Sequence, residues 1–160
     1  MPMDINYFQY ESKFGIITII SNGKAITGIK IIGKTDIPFK KEASKLTDKA
    51  AEELSEYFAG KRREFDIPLS PDGTEFQRSV WETLMSINYG ETRSYKQVAQ
   101  MIGKPNACRA VGMANNKNPI WIMIPCHRVI GADGSLTGYG GGLELKQQLL
   151  KLEKIREIKA

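Results

Sequence analysis

Isoleucine-rich, β-branched stretches occupy Phe14 to Ile20 and Lys24 to Ile32, broken by Ser21-Asn22-Gly23-Lys24. Such residues suit strands and Asn-Gly supplies the positive φ angles of a tight turn, so the pattern predicts a β-hairpin. Thr47 can cap a helix running through Ala59, with Leu54, Tyr57 and Phe58 on its apolar face and Gly60 placed to stop it. Lys61-Arg62-Arg63 leads into a predicted short strand around Phe65 to Ile67. Two prolines and a glycine in Pro68-Leu69-Ser70-Pro71-Asp72-Gly73 then break the periodicity. The break divides the chain into an α/β N-terminal lobe, residues 1–70, and a mainly α-helical domain, residues 71–160.

In the second part, Phe76, Val80, Leu84 and Ile87 share one helical face, and Ser94 can cap a helix from Tyr95 to about Ile102. Gly103-Lys104-Pro105-Asn106 reads as a turn before a second short helix through about Ala114, so residues 94 to 114 have the form of a helix-turn-helix. From Pro119 the chain reads as strand or extended loop, from Gly131 to Gly142 as a glycine-rich loop, and from Leu143 to about Ile158 as a last helix carrying Leu145, Leu149, Leu150 and Leu152.

Composition narrows the function classes. At 41% hydrophobic and 26% charged residues, the 160-residue chain is neither disordered nor fibrous. Its 23 Lys plus Arg against 18 Asp plus Glu give a net charge of +5, which suits a polyanionic partner. The N-terminus has no basic region feeding an apolar stretch, and neither Phe14 to Ile20 nor Ile120 to Pro125 approaches the ~18 to 20 residues of a membrane span. Two cysteines, Cys108 and Cys126, and one histidine, His127, make neither a disulfide framework nor the usual zinc-ligand set. The reading is a soluble intracellular protein with no metal and no cofactor.

Three stretches could carry chemistry. Gly28-Ile29-Lys30-Ile31-Ile32-Gly33-Lys34-Thr35 satisfies the phosphate-loop pattern, but that loop must open a helix, and Pro38 disfavours helical geometry at Ile37. Ile124-Pro125-Cys126-His127-Arg128-Val129 sets a thiol beside an imidazole and a guanidinium, which can favour the reactive thiolate by accepting its proton or by field effects. Equally, a cysteine after Ile120-Trp121-Ile122-Met123-Ile124 fits a small buried apolar side chain. The helix-turn-helix carries Arg109, with Lys104 and Lys117 nearby; its shape occurs with and without nucleic acid, and Tyr95 suits either a phosphate or base contact or half-buried packing.

Taken together, Phe76-Gln77-Arg78-Ser79-Val80-Trp81, Gly90-Glu91-Thr92-Arg93-Ser94-Tyr95, Arg109-Ala110-Val111-Gly112, Asn118-Pro119 and Pro125-Cys126-His127-Arg128-Val129 closely resemble the O6-alkylguanine-DNA alkyltransferase family in order and spacing, with Gly138-Tyr139-Gly140-Gly141-Gly142 following. The resemblance covers residues 74 to 153 closely; residues 1 to 70 resemble the family's ribonuclease-H-like N-terminal lobe in outline. It implies direct repair of O6-alkylguanine in double-stranded DNA by a monomer that binds largely without sequence preference, in the cytoplasm and at the nucleoid if the source is prokaryotic. The alkyl group would pass irreversibly to Cys126, with His127 taking the thiol proton through a water and Glu153 orienting the imidazole. Carried over by position, Tyr95, Lys96, Lys104 and Arg109 would bind DNA, Arg109 would fill the space of the extruded base, and Tyr95 would crowd its phosphate and donate to the departing base. Tyr139, Trp121 and the backbone around Val129 would line the base pocket, and Asn118 would hold the turn behind the cysteine.

The departures are specific. Asn88 stands where the family usually has proline, Trp121 where a smaller residue is expected, and Gly140 where some members carry serine. The last two bear on the size of alkyl group accepted, and O4-alkylthymine is a further substrate within the family's range. Non-enzymatic lesion sensors of alkyltransferase-like type replace the cysteine, commonly with tryptophan, and Cys126 is present here. A cysteine hydrolase would need a carbonyl substrate and an oxyanion hole, for which no residue of the sequence speaks.

Overall fold

Three antiparallel strands, β1 (Asn6–Ser12), β2 (Gly15–Ser21) and β3 (Ile26–Ile31), begin the structure, a computed structural model that describes residues 5–31 and 37–154. A two-residue strand, β4 (Lys40–Lys41), adds in parallel to β1, giving the order β3-β2-β1-β4. The predicted hairpin is therefore β2–β3, and β1 is an element the apolar pattern does not announce, since of its mixed aromatic and polar residues only Tyr7 is buried. The β2–β3 turn is also longer than a two-residue Asn-Gly turn. Gly23 alone takes a positive φ, +87°, while the Asn22 side chain accepts the Lys24 and Ala25 N–H groups, delaying β3 to Ile26.

Helix α1 (Lys45–Phe58) packs on this sheet, with Ala50, Leu54, Tyr57 and Phe58 buried beside Ile17, Ile19 and Ile29. Its cap is Ser44 rather than Thr47. The Ser44 hydroxyl accepts the Thr47 N–H and the Thr47 hydroxyl accepts the Ser44 N–H, so Thr47 is the third helical residue of a capping box. At the other end Gly60, φ +75°, donates to the Tyr57 carbonyl while Lys61 donates to Glu56, the paired bonds of a left-handed glycine stop.

No strand forms over residues 65–67. Pro68 offers only its carbonyl, which accepts the Ile26 N–H, and Ser70 donates back to Ile26, leaving a single bridge at Leu69. Further along the chain, Pro119 accepts the Ile29 N–H and Trp121 donates to the Ile29 carbonyl. This pairing places Pro119–Trp121 with the described residues up to Asp72 in one compact unit, so the division falls after Asp72 rather than Ser70 and three later residues cross back. Gly28 to Ile31 of the phosphate-loop match lie inside β3, not at the opening of a helix, and the rest of that match, residues 32–35, lies outside the described residues.

The second unit takes Gly73–Asn118 and the described residues from Ile122. Helix α2 (Glu75–Leu84) starts at a Thr74–Gln77 capping box and buries Val80, Trp81 and Leu84. Strand β5 (Arg93–Ser94) leads directly into α3 (Tyr95–Met101), capped by Ser94 as predicted, and α4 (Cys108–Asn116) packs against both α2 and α3. The Trp81 indole N–H donates to the Ala114 carbonyl at 2.8 Å, fixing α2 on the second helix of the helix-turn-helix. A 3₁₀ turn (Cys126–Arg128) runs into β6 (Val129–Ile130), which pairs in parallel with β5, and α5 (Leu143–Leu152) closes the unit. The predicted last helix to Ile158 ends instead at Leu152, with Glu153 as its cap and Lys154 at φ +63°; residues 155–160 lie outside the described residues.

The capping box makes a direct test of the α1 start. Ser44→Ala should cost about 1 kcal/mol in urea-monitored unfolding, since it removes an acceptor for the Thr47 N–H.

Candidate active site

Cys126 opens the 3₁₀ turn and is 2% exposed. The preceding segment reaches it through Ile122, a buried β-branched residue at φ +74°, a backbone conformation that costs about 1–3 kcal/mol and persists only where neighbours impose it. Asn118 is one such neighbour: its side-chain amide donates to the Ile124 carbonyl at 2.9 Å and to the Cys126 sulfur at 3.1 Å. Asn115, on α4, donates to the Cys126 carbonyl at 3.3 Å, so the helix-turn-helix itself braces the cysteine turn.

One residue on, His127 is fully buried, with Nε2 2.6 Å from Glu153 Oε2. Burial alone would raise the Glu153 pKa, but hydrogen bonds and charge from His127 and Arg128 outweigh it and hold the carboxyl far below the usual range. Glu153 is thus ionised and accepts from Nε2–H, which leaves the lone pair of the neutral imidazole on Nδ1. His127 is held below its ordinary pKa, chiefly by burial, with the Glu153 bond opposing. Arg128 completes the group: Nε and one terminal nitrogen donate to both Glu153 oxygens at 2.8 and 3.2 Å, and the other terminal nitrogen donates to the Ile87 carbonyl at 2.7 Å. Its guanidinium also sits 5.8 Å from the Tyr89 ring centroid, and Gly90 N–H donates to Glu153 Oε1.

The sulfur's surroundings differ from those the sequence suggests. Adjacency proposed the Arg128 guanidinium as the field favouring thiolate, but that group is spent on Glu153 and Ile87. Burial pushes the Cys126 thiol up to about 11, against the Asn118 hydrogen bond and the charge of Lys146. At neutral pH the resting sulfur is a thiol.

The remaining expected residues fall in three places. Tyr95 begins α3 and donates its hydroxyl to the Thr137 carbonyl at 2.8 Å; burial raises its pKa. Tyr139 and Val129 are buried, and the Tyr139 hydroxyl is pushed well above the usual phenol range, by burial first and then by Cys126. Lys96, Lys104 and Arg109 stand exposed on the helix-turn-helix segment, Lys104 with its ammonium 5.3 Å from the Phe76 ring. Trp121 is buried in the first unit through its backbone bond to Ile29. From Thr92 to Ala132 the chain carries no Asp or Glu and six cations, Arg93, Lys96, Lys104, Arg109, Lys117 and Arg128. Sequence reasoning missed Asn115, the Arg128–Glu153 pair and Lys146; the last had a signal, a lysine within the Leu145, Leu149, Leu150 stripe of α5. Among the described residues no group of three or more His, Cys, Asp or Glu could hold a metal ion, and no helix is long and apolar enough to cross a membrane.

Comparison with known proteins bears on the whole chain. Residues 75–155 match the family model described as 6-O-methylguanine DNA methyltransferase, DNA binding domain, and residues 5–71 match 6-O-methylguanine DNA methyltransferase, ribonuclease-like domain. A methylated-DNA–protein-cysteine methyltransferase of Methanosarcina barkeri is 52% identical over 152 residues, covering 92% of this chain and 96% of that one. The crystal structure of Mycobacterium tuberculosis O6-methylguanine methyltransferase superposes with a TM-score of 0.87 at 45% identity, covering 94% and 93% of the two chains. A structure of the M. tuberculosis protein in complex with DNA gives the same TM-score at 46% identity, covering 93% and 92%.

Removing the buried carboxylate should be costly. Glu153→Gln leaves the Arg128 guanidinium buried without its counter-charge and should destabilise the protein by about 3–5 kcal/mol in urea titrations at pH 7. In the wild type, His127 and Glu153 both have depressed folded pKa values, so both favour their deprotonated forms in the native state. Stability should hold above about pH 6.5, begin to fall as His127 resists protonation, and fall again through the carboxylate range. The second decline should flatten in Glu153→Gln.

Proposed function

The chain belongs to the 6-O-methylguanine DNA methyltransferase family, and from that premise we propose that Cys126 takes the alkyl group of O6-alkylguanine after the nucleotide is rotated out of double-stranded DNA. The chain is a methylated-DNA–protein-cysteine methyltransferase, a DNA repair protein. The observation that carries the residue assignment is the linked set Asn118–Cys126 and His127–Glu153, a nucleophile held by an amide next to a base held by a carboxylate. The compartment that follows is the one holding the DNA, the cytoplasm, and the nucleoid if the source is prokaryotic.

The chemistry begins from a protonated thiol. His127 Nδ1 accepts the Cys126 proton through a water, and Glu153 stabilises the imidazolium that forms at Nε2. The sulfur attacks the alkyl carbon, forming C–S as C–O6 breaks, and the electron pair of the broken bond passes to the guanine, which leaves unaltered once it takes up a proton. The product is a thioether with no good leaving group, so the cysteine is not regenerated and each molecule acts once.

Extrusion is required because a stacked base cannot reach a sulfur that is 2% exposed. The exposed cations of the acid-free segment from Thr92 to Ala132, Lys96, Lys104, Arg109 and Lys117, supply the positive charge that holds phosphates without reading sequence. Within it Arg109, exposed on α4, takes the place of the extruded base, while Lys96 and Lys104 hold the backbone. Tyr95 exchanges its Thr137 carbonyl for the departing base as hydrogen-bond acceptor. Tyr139 and the Val129 backbone line the pocket, and Asn118 keeps the turn behind the sulfur.

Two experiments test these roles. After exposure to duplex DNA containing O6-methylguanine, intact mass should rise by one methyl group located on Cys126; Cys126→Ala should show no gain while keeping duplex affinity. An unchanged wild-type mass with tight binding would instead indicate a lesion sensor, and a gain at Cys108 would move the nucleophile.

Arg109→Ala should slow single-turnover repair of duplex O6-methylguanine much more than reaction with free O6-benzylguanine, which needs no extrusion. Tyr95→Phe should slow both by a comparable factor of about ten, the loss of one hydrogen bond of ~1.4 kcal/mol in the transition state. Equal slowing of both substrates by Arg109→Ala would remove its assigned role.

A further inference from the structure

Two carboxamides flank the cysteine turn, and one of them is half used. Helix α4 turns Val111, Ala114 and Asn115 inward, and Asn118 follows the helix end with its backbone N–H on the Asn115 carbonyl. The Asn118 amide nitrogen is occupied by the Ile124 carbonyl and the Cys126 sulfur. Asn115, 1% exposed, donates from Nδ2 to the Cys126 carbonyl at 3.3 Å, while its Oδ1 is buried and meets no donor among the described residues.

The unmet end of that amide is the oxygen and not the nitrogen. Turning the group over would set Oδ1 against the Cys126 carbonyl, acceptor against acceptor, so the nitrogen belongs there and the oxygen is left over. A carbonyl oxygen shut away from water without a donor costs free energy comparable to a lost hydrogen bond, and native proteins keep few of them. Bracing the cysteine turn needs only the nitrogen. The oxygen belongs to a group bonded to the nucleophile's own residue, whose sulfur is 2% exposed, and a base that brings its alkyl carbon to that sulfur comes to the same depth.

The chemistry of the base completes the match. Alkylation at O6 leaves guanine N1 without a hydrogen, so the edge that bears the alkyl group presents N1 as an acceptor and the 2-amino group as its donor. We propose that Asn115 is a specificity-determining residue for alkyl transfer: its side-chain Oδ1 accepts a hydrogen bond from the 2-amino group of the O6-alkylguanine whose alkyl carbon meets Cys126. The inference rests on the alkyl-transfer reading above. Bases without that donor leave Oδ1 unmet. O6-alkylhypoxanthine carries only hydrogen at C2, and O4-alkylthymine sets its O2, a second acceptor, in that place. A buried polar group that bonds the substrate discriminates strongly against analogues lacking the partner, because it is then left unpaired.

The test compares two free bases that differ in the 2-amino group and need no extrusion, O6-benzylguanine and O6-benzylhypoxanthine. Second-order rate constants for transfer are to be measured at pH 7 in wild type, Asn115→Ala, Asn115→Met and Asn115→Asp. The readout is the guanine-to-hypoxanthine ratio within each protein, since damage to the cysteine turn slows both bases and cancels. Wild type should favour the guanine by at least about tenfold. The Ala and Met variants lack the acceptor and should lower the ratio about fivefold or more, whereas Asn115→Asp keeps an oxygen acceptor in either protonation state and should hold the ratio within about twofold of wild type. Either acceptor-free variant suffices if the other does not fold; if neither folds, a ratio above about ten in both wild type and Asn115→Asp supports the contact. Equal rates with the two bases in wild type, a ratio that the Ala and Met variants leave unchanged, or one that Asn115→Asp loses along with them, overturns the assignment while leaving the transfer reading intact. No Cys126-dependent transfer from either base in wild type removes that reading and this inference with it.

Discussion

The buried carboxylate of Glu153 is the point on which the active unit turns. It sits at the end of the last helix and accepts from His127, twice from Arg128 and once from the Gly90 backbone, so one side chain ties α5 to the cysteine turn and to the loop before β5. Those partners have no other way to be where they are. An imidazole with no solvent exposure and a guanidinium almost as deep would each pay a large desolvation cost without an anion between them. The same pairing fixes the histidine tautomer, so the group that stabilises the interior also decides which ring nitrogen keeps its lone pair.

Around that anchor the sulfur is kept unreactive until needed. Burial makes Cys126 a weak acid, and its neighbours temper this only partly. A protein that can act once gains from such restraint, since a standing thiolate would be consumed by any electrophile that reached it. The exposed Cys108 illustrates the alternative placement, open to solvent on the helix-turn-helix.

The helix-turn-helix and the cysteine turn are one construction. Asn115 of α4 braces the cysteine carbonyl, and Trp81 of α2 holds the same helix by its Ala114 carbonyl. Tyr95, at the first position of α3, is hydrogen-bonded to Thr137 in the loop that follows the cysteine turn. The helix-turn-helix is therefore joined to the turn that carries the sulfur, and to the loop after it, by direct hydrogen bonds.

Much of this was written in the chain order. The helix start at Ser94, the glycine stop at Gly60 and the Val80–Leu84 face of α2 follow from local capping and periodicity, which act over three or four residues. The Pro-Cys-His-Arg run and its companions gave the family from identity and spacing alone. Tertiary structure decided what local rules do not reach. Ser44 displaced Thr47 as a cap because two hydroxyls share the task, and the hairpin turn lengthened because an Asn22 side chain competed for its N–H groups. Residues 119–121 joined the first unit because Ile29 needed backbone partners. Above all, sequence adjacency assigned Arg128 to Cys126, whereas folding gave Arg128 to Glu153 and buried Lys146 against the Val129 and Thr137 carbonyls beyond the cysteine turn. Charges in a low-dielectric interior choose partners by distance and by the cost of remaining unpaired, and neither quantity exists until the chain has closed on itself.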